Sequence, residues 1–255
     1  MSKRPLILIT NDDGYVAKGI AELTKMARQI GDVVVVAPAV GQSGKSHAVS
    51  LGSFVRLQCH TNEPGYKVYS VTGTPSDCVK MAMGNILEIK PDLLLSGINH
   101  GSNATVNVFY SGTMGAAIEG AFNGIPSIGF SLCSFDADAN FDVVTKYGEP
   151  LVRKVLECNT NKHLCLNINF PDVAEADFKG LKICRQARGV WKESFVENKD
   201  PFGGSIYWLT GNFVNFEPGS TDTDEWALTN GYASVVPVNL DSTDFEQMQS
   251  INYIL

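Results

Sequence analysis

Short apolar runs alternate with helix-spaced apolar residues along the first two-thirds of this chain, and that alternation constrains the fold more than any other feature. Leu6–Ile9, Val33–Ala37, Leu93–Leu95, Ser127–Leu132 and Leu164–Ile168 are short and largely apolar. Such runs read as strands buried on both faces. Between them, Gly19–Ile30 places Ile20, Leu23, Met26, Ala27 and Ile30 at helical intervals. Thr113–Asn123 does the same with Met114, Ala117, Ile118, Ala121 and Phe122. Thr74-Pro75-Ser76-Asp77 is a helix start, with a Thr cap, Pro at the first helical position and an acid in the first turn. Its apolar face follows at Val79, Ala82, Met83, Ile86 and Leu87, and a helical stretch interrupted by Pro150 separates the last two strands.

Strands separated by helices pair in parallel through right-handed crossovers. The expected fold class is therefore α/β: a Rossmann-like, doubly wound, mostly parallel sheet in a three-layer αβα sandwich. The 255 residues suffice for one such domain, 1–255. Ligands of these sheets bind at the carboxyl ends of the strands. That directs attention to the loops after Ile9, Ala37, Leu95 and Phe130.

Residues 180–212 lose the helical period. Leu181–Gln186 and Ser205–Leu209 flank the turn signal Asp200-Pro201-Phe202-Gly203-Gly204, which predicts a projecting β-hairpin over about 180–212. Phe195, Phe202, Tyr207, Trp208 and Phe213 make it aromatic. A tail over about 240–255 ends in the apolar-rich stretch Phe245–Leu255. Apolar ends and projecting hairpins are explained when a second copy covers them, so a homodimer or homotetramer is expected.

The net charge of −7 and the lack of any basic run argue against a nucleic acid polymer or an anionic membrane as partner. No stretch approaches the ~20 apolar residues of a membrane span. Met1–Pro5 is charged and only four apolar residues follow, so no secretory leader is expected. The six cysteines form no Cys-x-x-Cys pair, and reduced core thiols in a cytoplasmic protein are the expectation.

Ala39-Val40-Gly41-Gln42-Ser43-Gly44-Lys45-Ser46 nearly matches a phosphate loop, with Ala39 in place of the first glycine. A true phosphate loop opens a helix. Here Val49, Leu51, Val55 and Leu57 recur mostly at odd positions, which suits an extended segment instead. Nor is it a serine-hydrolase elbow, because no glycine stands two residues after Ser43.

Tyr110-Ser111-Gly112-Thr113 directly precedes a helix. It is a plain N-cap or an anion site built from free amides and two hydroxyls. Ser96-Gly97-Ile98-Asn99-His100-Gly101-Ser102-Asn103 follows a buried strand and places two asparagines at the ligand edge. Asp12 and Asp13 stand side by side after the first strand. Adjacent like charges repel, and each raises the other's pKa. A divalent cation turns that repulsion into attraction. Hard cations such as Mg²⁺ and Mn²⁺ favour carboxylate, carbonyl and hydroxyl oxygens. Asp12 and Asp13 supply charge, and Ser43 and Asn99 can supply neutral oxygens from neighbouring loops. No His-Cys cluster points to structural zinc.

Thr10-Asn11-Asp12-Asp13-Gly14, Gln42-Ser43-Gly44-x-Ser46-His47, Gly73-Thr74-Pro75-x-Asp77-Cys78-Val79, Ser96-Gly97-Ile98-Asn99, Tyr110-Ser111-Gly112-Thr113 and Glu119-Gly120 resemble the motifs of the SurE family. So do Ala37-Pro38, Pro91-Asp92-Leu93, Thr221-Asp222 and Gly231-Tyr232-x-Ser234-Val235. The resemblance spans nearly the whole chain. It implies a metal-dependent phosphomonoesterase acting on nucleoside monophosphates: a 5'-nucleotidase, with 3'-nucleotides and polyphosphate as further substrates open to it. It implies one Mg²⁺ or Mn²⁺ per subunit on Asp12, Asp13, Ser43 and Asn99. It also implies dimers or tetramers built partly by exchange of C-terminal segments. Two positions depart from the family pattern: Thr105 stands where a glycine is usual and Asn107 where an aspartate is usual.

The expected division of labour gives Asp12 or Asp13 the orientation of an attacking water, and gives Asn103, Ser111, Gly112 and Thr113 the phosphate oxygens. His47 and His100 are candidate general acids, with loop lining the favoured role for each. The alternative from another class is a non-catalytic nucleotide-binding regulator using the same anion site.

Overall fold

The computed structural model describes residues 4–158 and 163–254. The charged opening Met1–Lys3 and the terminal Leu255 lie outside the described residues, as does the side chain of Tyr253. Among the described residues, nine strands form one sheet in the order β3-β4-β2-β1-β5-β6-β7-β11-β8. Its centre is made of β2 (Asp32–Pro38), β1 (Leu6–Thr10), β5 (Leu93–His100), β6 (Ser127–Leu132) and β7 (Cys165–Phe170). All of these pair in parallel. They are the strands that the apolar runs predict.

The period of two divides the core. Ile7, Ile9, Val33 and Val35 face α1 (Lys18–Arg28) and α4 (Asp142–Glu157), packing on Ile20, Leu23, Val144 and Val152. Leu8, Val34, Val36 and Leu94 face α2 (Pro75–Met81) and α3 (Gly112–Phe122), packing on Val79 and Ala116. Burying each Leu, Ile or Val side chain contributes about 1.5–3 kcal/mol. Thr74 caps α2 as its sequence predicts: its Oγ1 accepts from the Asp77 N–H at 3.1 Å, and Asp77 Oδ2 accepts from the Thr74 N–H at 2.9 Å.

Several expectations are corrected. Val49–Leu57 is not extended but turn-rich, and β3 begins only at Leu57 and runs to Glu63. No helix opens at Lys45, as the sequence predicts, so the phosphate-loop context is absent there. Pro150 sits inside α4 without ending it. Phe122, expected on the buried face of α3, is half exposed.

The hairpin is displaced from 180–212. Its arms are β9 (Gly189–Lys199) and β10 (Ser205–Asn215), joined where Asp200 Oδ1 accepts from the Phe202 and Gly204 N–H groups. Ser205–Leu209 therefore pairs with Phe195–Lys199, the segment that the turn brings adjacent. Leu181–Ile183 joins the main sheet instead as β8, parallel to β11 (Ala233–Pro237). β11 in turn runs antiparallel to β7, and β3 antiparallel to β4 (Tyr66–Val71). After α5 (Asp224–Thr229), the tail carries α6 (Phe245–Ser250), which leaves Phe245 and Met248 about half exposed. Among the described residues, no helix is long and apolar enough to cross a membrane, and all six cysteines are free.

Candidate active site

Asp12 and Asp13 leave the carboxyl end of β1, at the centre of the sheet. Asn11 fixes the turn: its Oδ1 accepts from the Gly14 N–H at 3.2 Å and its Nδ2 donates to the Gly14 carbonyl at 2.9 Å. The loop after β2 crosses above, held where the Gln42 N–H donates to the Asp12 carbonyl at 2.6 Å. Ser43 is the next residue and is exposed. From β5, the His100 N–H reaches Asp13 Oδ2 at 3.3 Å. Asn99, one residue before, spends both amide protons on backbone: on the Gly101 carbonyl at 2.8 Å and the His100 carbonyl at 3.2 Å. Its Oδ1 is thereby the atom left to accept a cation or a proton.

The electrostatics favour a cation. Asp12 is only 3 % exposed. Burial pushes its carboxyl up to about 6; the Thr113 hydroxyl opposes this, and the neighbouring Asp13 adds to it. Burial also raises Asp13, against the His100 N–H. A bound divalent ion inverts this situation, because it stabilises the ionised form of both carboxylates. Among the described residues, no three of His, Cys, Asp and Glu gather into a metal-binding group. The available donor set is two carboxylates plus neutral oxygens, which fits a hard cation.

Sequence reasoning assigns the start of α3 to phosphate alone. The geometry gives it a second task. Thr113 Oγ1 donates to Asp12 Oδ1 at 2.5 Å, and the Thr113 backbone N–H also bears on that carboxylate. Gly112 is required for this approach: a Cβ there would lie 2.9 Å from the Asp12 Cβ. The positive end of the helix thus faces a buried carboxylate. Ser111 caps the helix by accepting from the Met114 N–H at 3.0 Å, which leaves its hydroxyl proton to donate elsewhere.

Asn103 is buried and held at three atoms, which leaves one Nδ2 proton to donate. Its N–H donates to Asn169 Oδ1 at 2.7 Å, its carbonyl accepts from Asn167 Nδ2 at 2.8 Å, and its Nδ2 donates to Ser131 Oγ at 3.0 Å. Asn167 and Asn169 alternate along β7, a spacing that could have marked them in the sequence as polar residues on a buried strand. The two departures also find partners. Thr105 adopts φ 58°, a left-handed conformation that a glycine would adopt without strain, and its N–H is held by Asp224 Oδ2 at 2.7 Å. Asn107 donates to the Ser102 carbonyl at 3.1 Å and accepts from Trp191 Nε1 at 2.7 Å. An aspartate could not do both.

Neither histidine stands free as a proton donor. His47 Nε2 pairs with Glu119 Oε2 at 2.9 Å, and Lys80 holds Glu119 Oε1 at 2.7 Å. Those partners hold Glu119 down at about 2. With Ser46 Oγ on the Phe109 carbonyl at 2.5 Å, this clamp fixes the Ser43 loop to α3. Sequence reasoning misses it, because its members come from three separate elements. His100 Nδ1 meets the Asp136 carbonyl at 3.1 Å.

Several known proteins resemble this chain over nearly its whole length. The family model described as "Survival protein SurE" matches residues 7–193. A protein named 5'-nucleotidase SurE from Flavobacterium psychrophilum is 50% identical over 253 residues, covering 99% of this chain and 98% of that one. Its namesake from Bacteroides thetaiotaomicron is 45% identical over 251 residues, covering 98% and 96%. The crystal structure of the SurE protein from Aquifex aeolicus superposes with a TM-score of 0.82 at 37% identity, covering 98% of this chain and 99% of that one. With the fold, the acidic pair and the strand-end loops in place, the chain belongs to the SurE family.

Proposed function

We propose that this chain is a metal-dependent 5'-nucleotidase that releases phosphate from nucleoside monophosphates. The observation that carries the reading is a buried, ionisable Asp12 held by Thr113 at the start of α3, with Asn99, whose amide protons are both committed, at the end of the neighbouring strand β5. The relatives' name, 5'-nucleotidase, supports the substrate class. Asp12, Asp13, Ser43 and Asn99 are the residues that would hold one Mg²⁺ or Mn²⁺ per subunit. When bound there, a divalent cation supplies charge withdrawal from a phosphate oxygen and acidifies water.

The chain's own groups do the rest. Thr113 fixes the rotamer of Asp12, and the His100 N–H fixes that of Asp13, so either carboxylate can take a proton from a water lying between it and the phosphate. The Ser111 hydroxyl and the Asn103 amide donate to phosphate oxygens, with the α3 dipole adding positive potential. Each of these donors is set before substrate arrives, so no reorganisation is required during reaction.

The protein acts in the cytoplasm on small nucleotides, with neither membrane nor nucleic acid polymer as partner. It assembles as a homodimer or homotetramer. The exposed apolar residues of α6 and of β9–β10 support that assembly, among them Phe195, Tyr207, Trp208 and Leu209. Phosphate release from 5'- and 3'-nucleoside monophosphates and from polyphosphate, in Mg²⁺ and in Mn²⁺, tests the reading. We expect 5'-monophosphates to be the preferred substrates. Tight nucleotide binding without phosphate release would favour the regulator instead.

A further inference from the structure

The loop after β6 carries an aromatic ring that the catalytic account does not use. Phe135 is 87 % exposed. Its ring lies directly on Gly101: a Cβ built there would come within 2.4 Å of Cε1 and 2.8 Å of Cζ. Gly101 is the residue whose carbonyl holds the Asn99 amide, and two residues of chain span at most ~7 Å. The loop is fixed from both sides, by His100 Nδ1 on the Asp136 carbonyl at 3.1 Å and by Lys18 Nζ on the Asp138 carbonyl at 3.0 Å. An apolar ring in that position covers a glycine backbone and little else. It gains almost nothing from burial within its own chain, yet its anchored loop lies against Gly101 and His100, and the His100 N–H meets Asp13 Oδ2 at 3.3 Å.

A nucleoside monophosphate carries its charge at one end and a flat aromatic base at the other. The groups around Asp12 and Asp13 are polar and suit the phosphate. The base requires a flat apolar surface one ribose away. We propose that Phe135 is that surface: the nucleobase stacks on its ring, and the contact makes nucleotides better substrates than other phosphate esters. This rests on the nucleotidase reading and adds the residue that recognises the base. Stacking on an aromatic ring tolerates any base, so the site discriminates nucleotide from non-nucleotide rather than purine from pyrimidine.

Steady-state kinetics of the full chain with Mn²⁺ test it, using a purine nucleoside 5'-monophosphate and ribose 5-phosphate, which lacks the base. Phe135→Ala should raise KM for the nucleotide about tenfold, corresponding to ~1.4 kcal/mol. It should leave kcat/KM for ribose 5-phosphate unchanged, and Phe135→Trp should keep the nucleotide KM at or below its original value. An equal loss on both substrates, or no loss on the nucleotide, overturns the proposal. If the unmodified chain hydrolyses both esters equally well, base recognition falls while the phosphatase survives. If it hydrolyses neither, both readings fall. Light scattering on Phe135→Ala completes the test: a smaller assembly would make the ring a contact between copies and overturn the assignment.

Discussion

Replacing Thr113 by valine removes one hydroxyl and keeps the shape of the side chain. The hydroxyl lies 2.5 Å from an oxygen of Asp12, a carboxylate that is 3 % exposed. Hydrogen bonds to charged groups are worth about 1.5–3 kcal/mol, and few other groups can replace this one inside the protein. In the metal-free protein, Asp12 can tilt towards the opening and recover part of that bond from water. A bound ion holds the carboxylate in one place, so the loss falls mainly on the bound state. We therefore expect Mn²⁺ affinity to weaken roughly tenfold, about half of the full bond energy. Titration calorimetry on Thr113→Val reads this directly, and Thr113→Ser should restore most of the affinity. Unchanged Mn²⁺ affinity together with a raised KM for nucleotide would show that the Thr113 hydroxyl does not position Asp12 for the ion. It would return Thr113 to a role on phosphate alone.

Three further outcomes follow from the geometry. Asp12→Asn should cut phosphate release by at least ~10²-fold in a colorimetric assay, because it removes charge from the group that organises the transition state. Glu119→Gln should cost about 1–2 kcal/mol in urea unfolding at neutral pH, a figure reduced because Lys80 is half exposed and solvent screens the pair. The Glu119 carboxyl sits near 2 against an ordinary 4.5, so its contribution is present above 4.5 and disappears as pH falls through about 2. The difference between the two unfolding curves should therefore close over that window, and a constant difference would contradict the assignment. A chain ending at Asp244 should give a smaller mass by light scattering than the full chain, because α6 and its exposed Phe245 and Met248 are removed; an unchanged mass would show that the tail does not hold the assembly.

What the sequence makes legible is whatever depends on local pattern. The five central strands begin in or carry largely apolar runs bounded by turn residues, and the Thr74 cap carries its own signature. The acidic pair and the loop asparagines are visible because a doubly wound sheet brings strand ends to one edge. The outer strands are harder to see. β3 is exposed along nearly all its length, so no alternation marks it. The hairpin register depends on which segment the Asp200 turn brings adjacent, and Leu181–Ile183 finds a better partner in β11 than in β10. The Thr113–Asp12 bond joins residues 101 apart, and the Glu119 clamp gathers Lys80 and His47 from separate elements. Such contacts are products of packing, and no local periodicity encodes them.

In the proposed mechanism, nucleotide hydrolysis depends on a divalent cation gathered by Asp12, Asp13, Ser43 and Asn99. The most direct test is phosphate release from a nucleoside 5'-monophosphate by the purified chain, measured after exhaustive chelation and again after adding back Mg²⁺ or Mn²⁺. Release should stop in chelator and return with the ion. Undiminished release in excess chelator would contradict that mechanism.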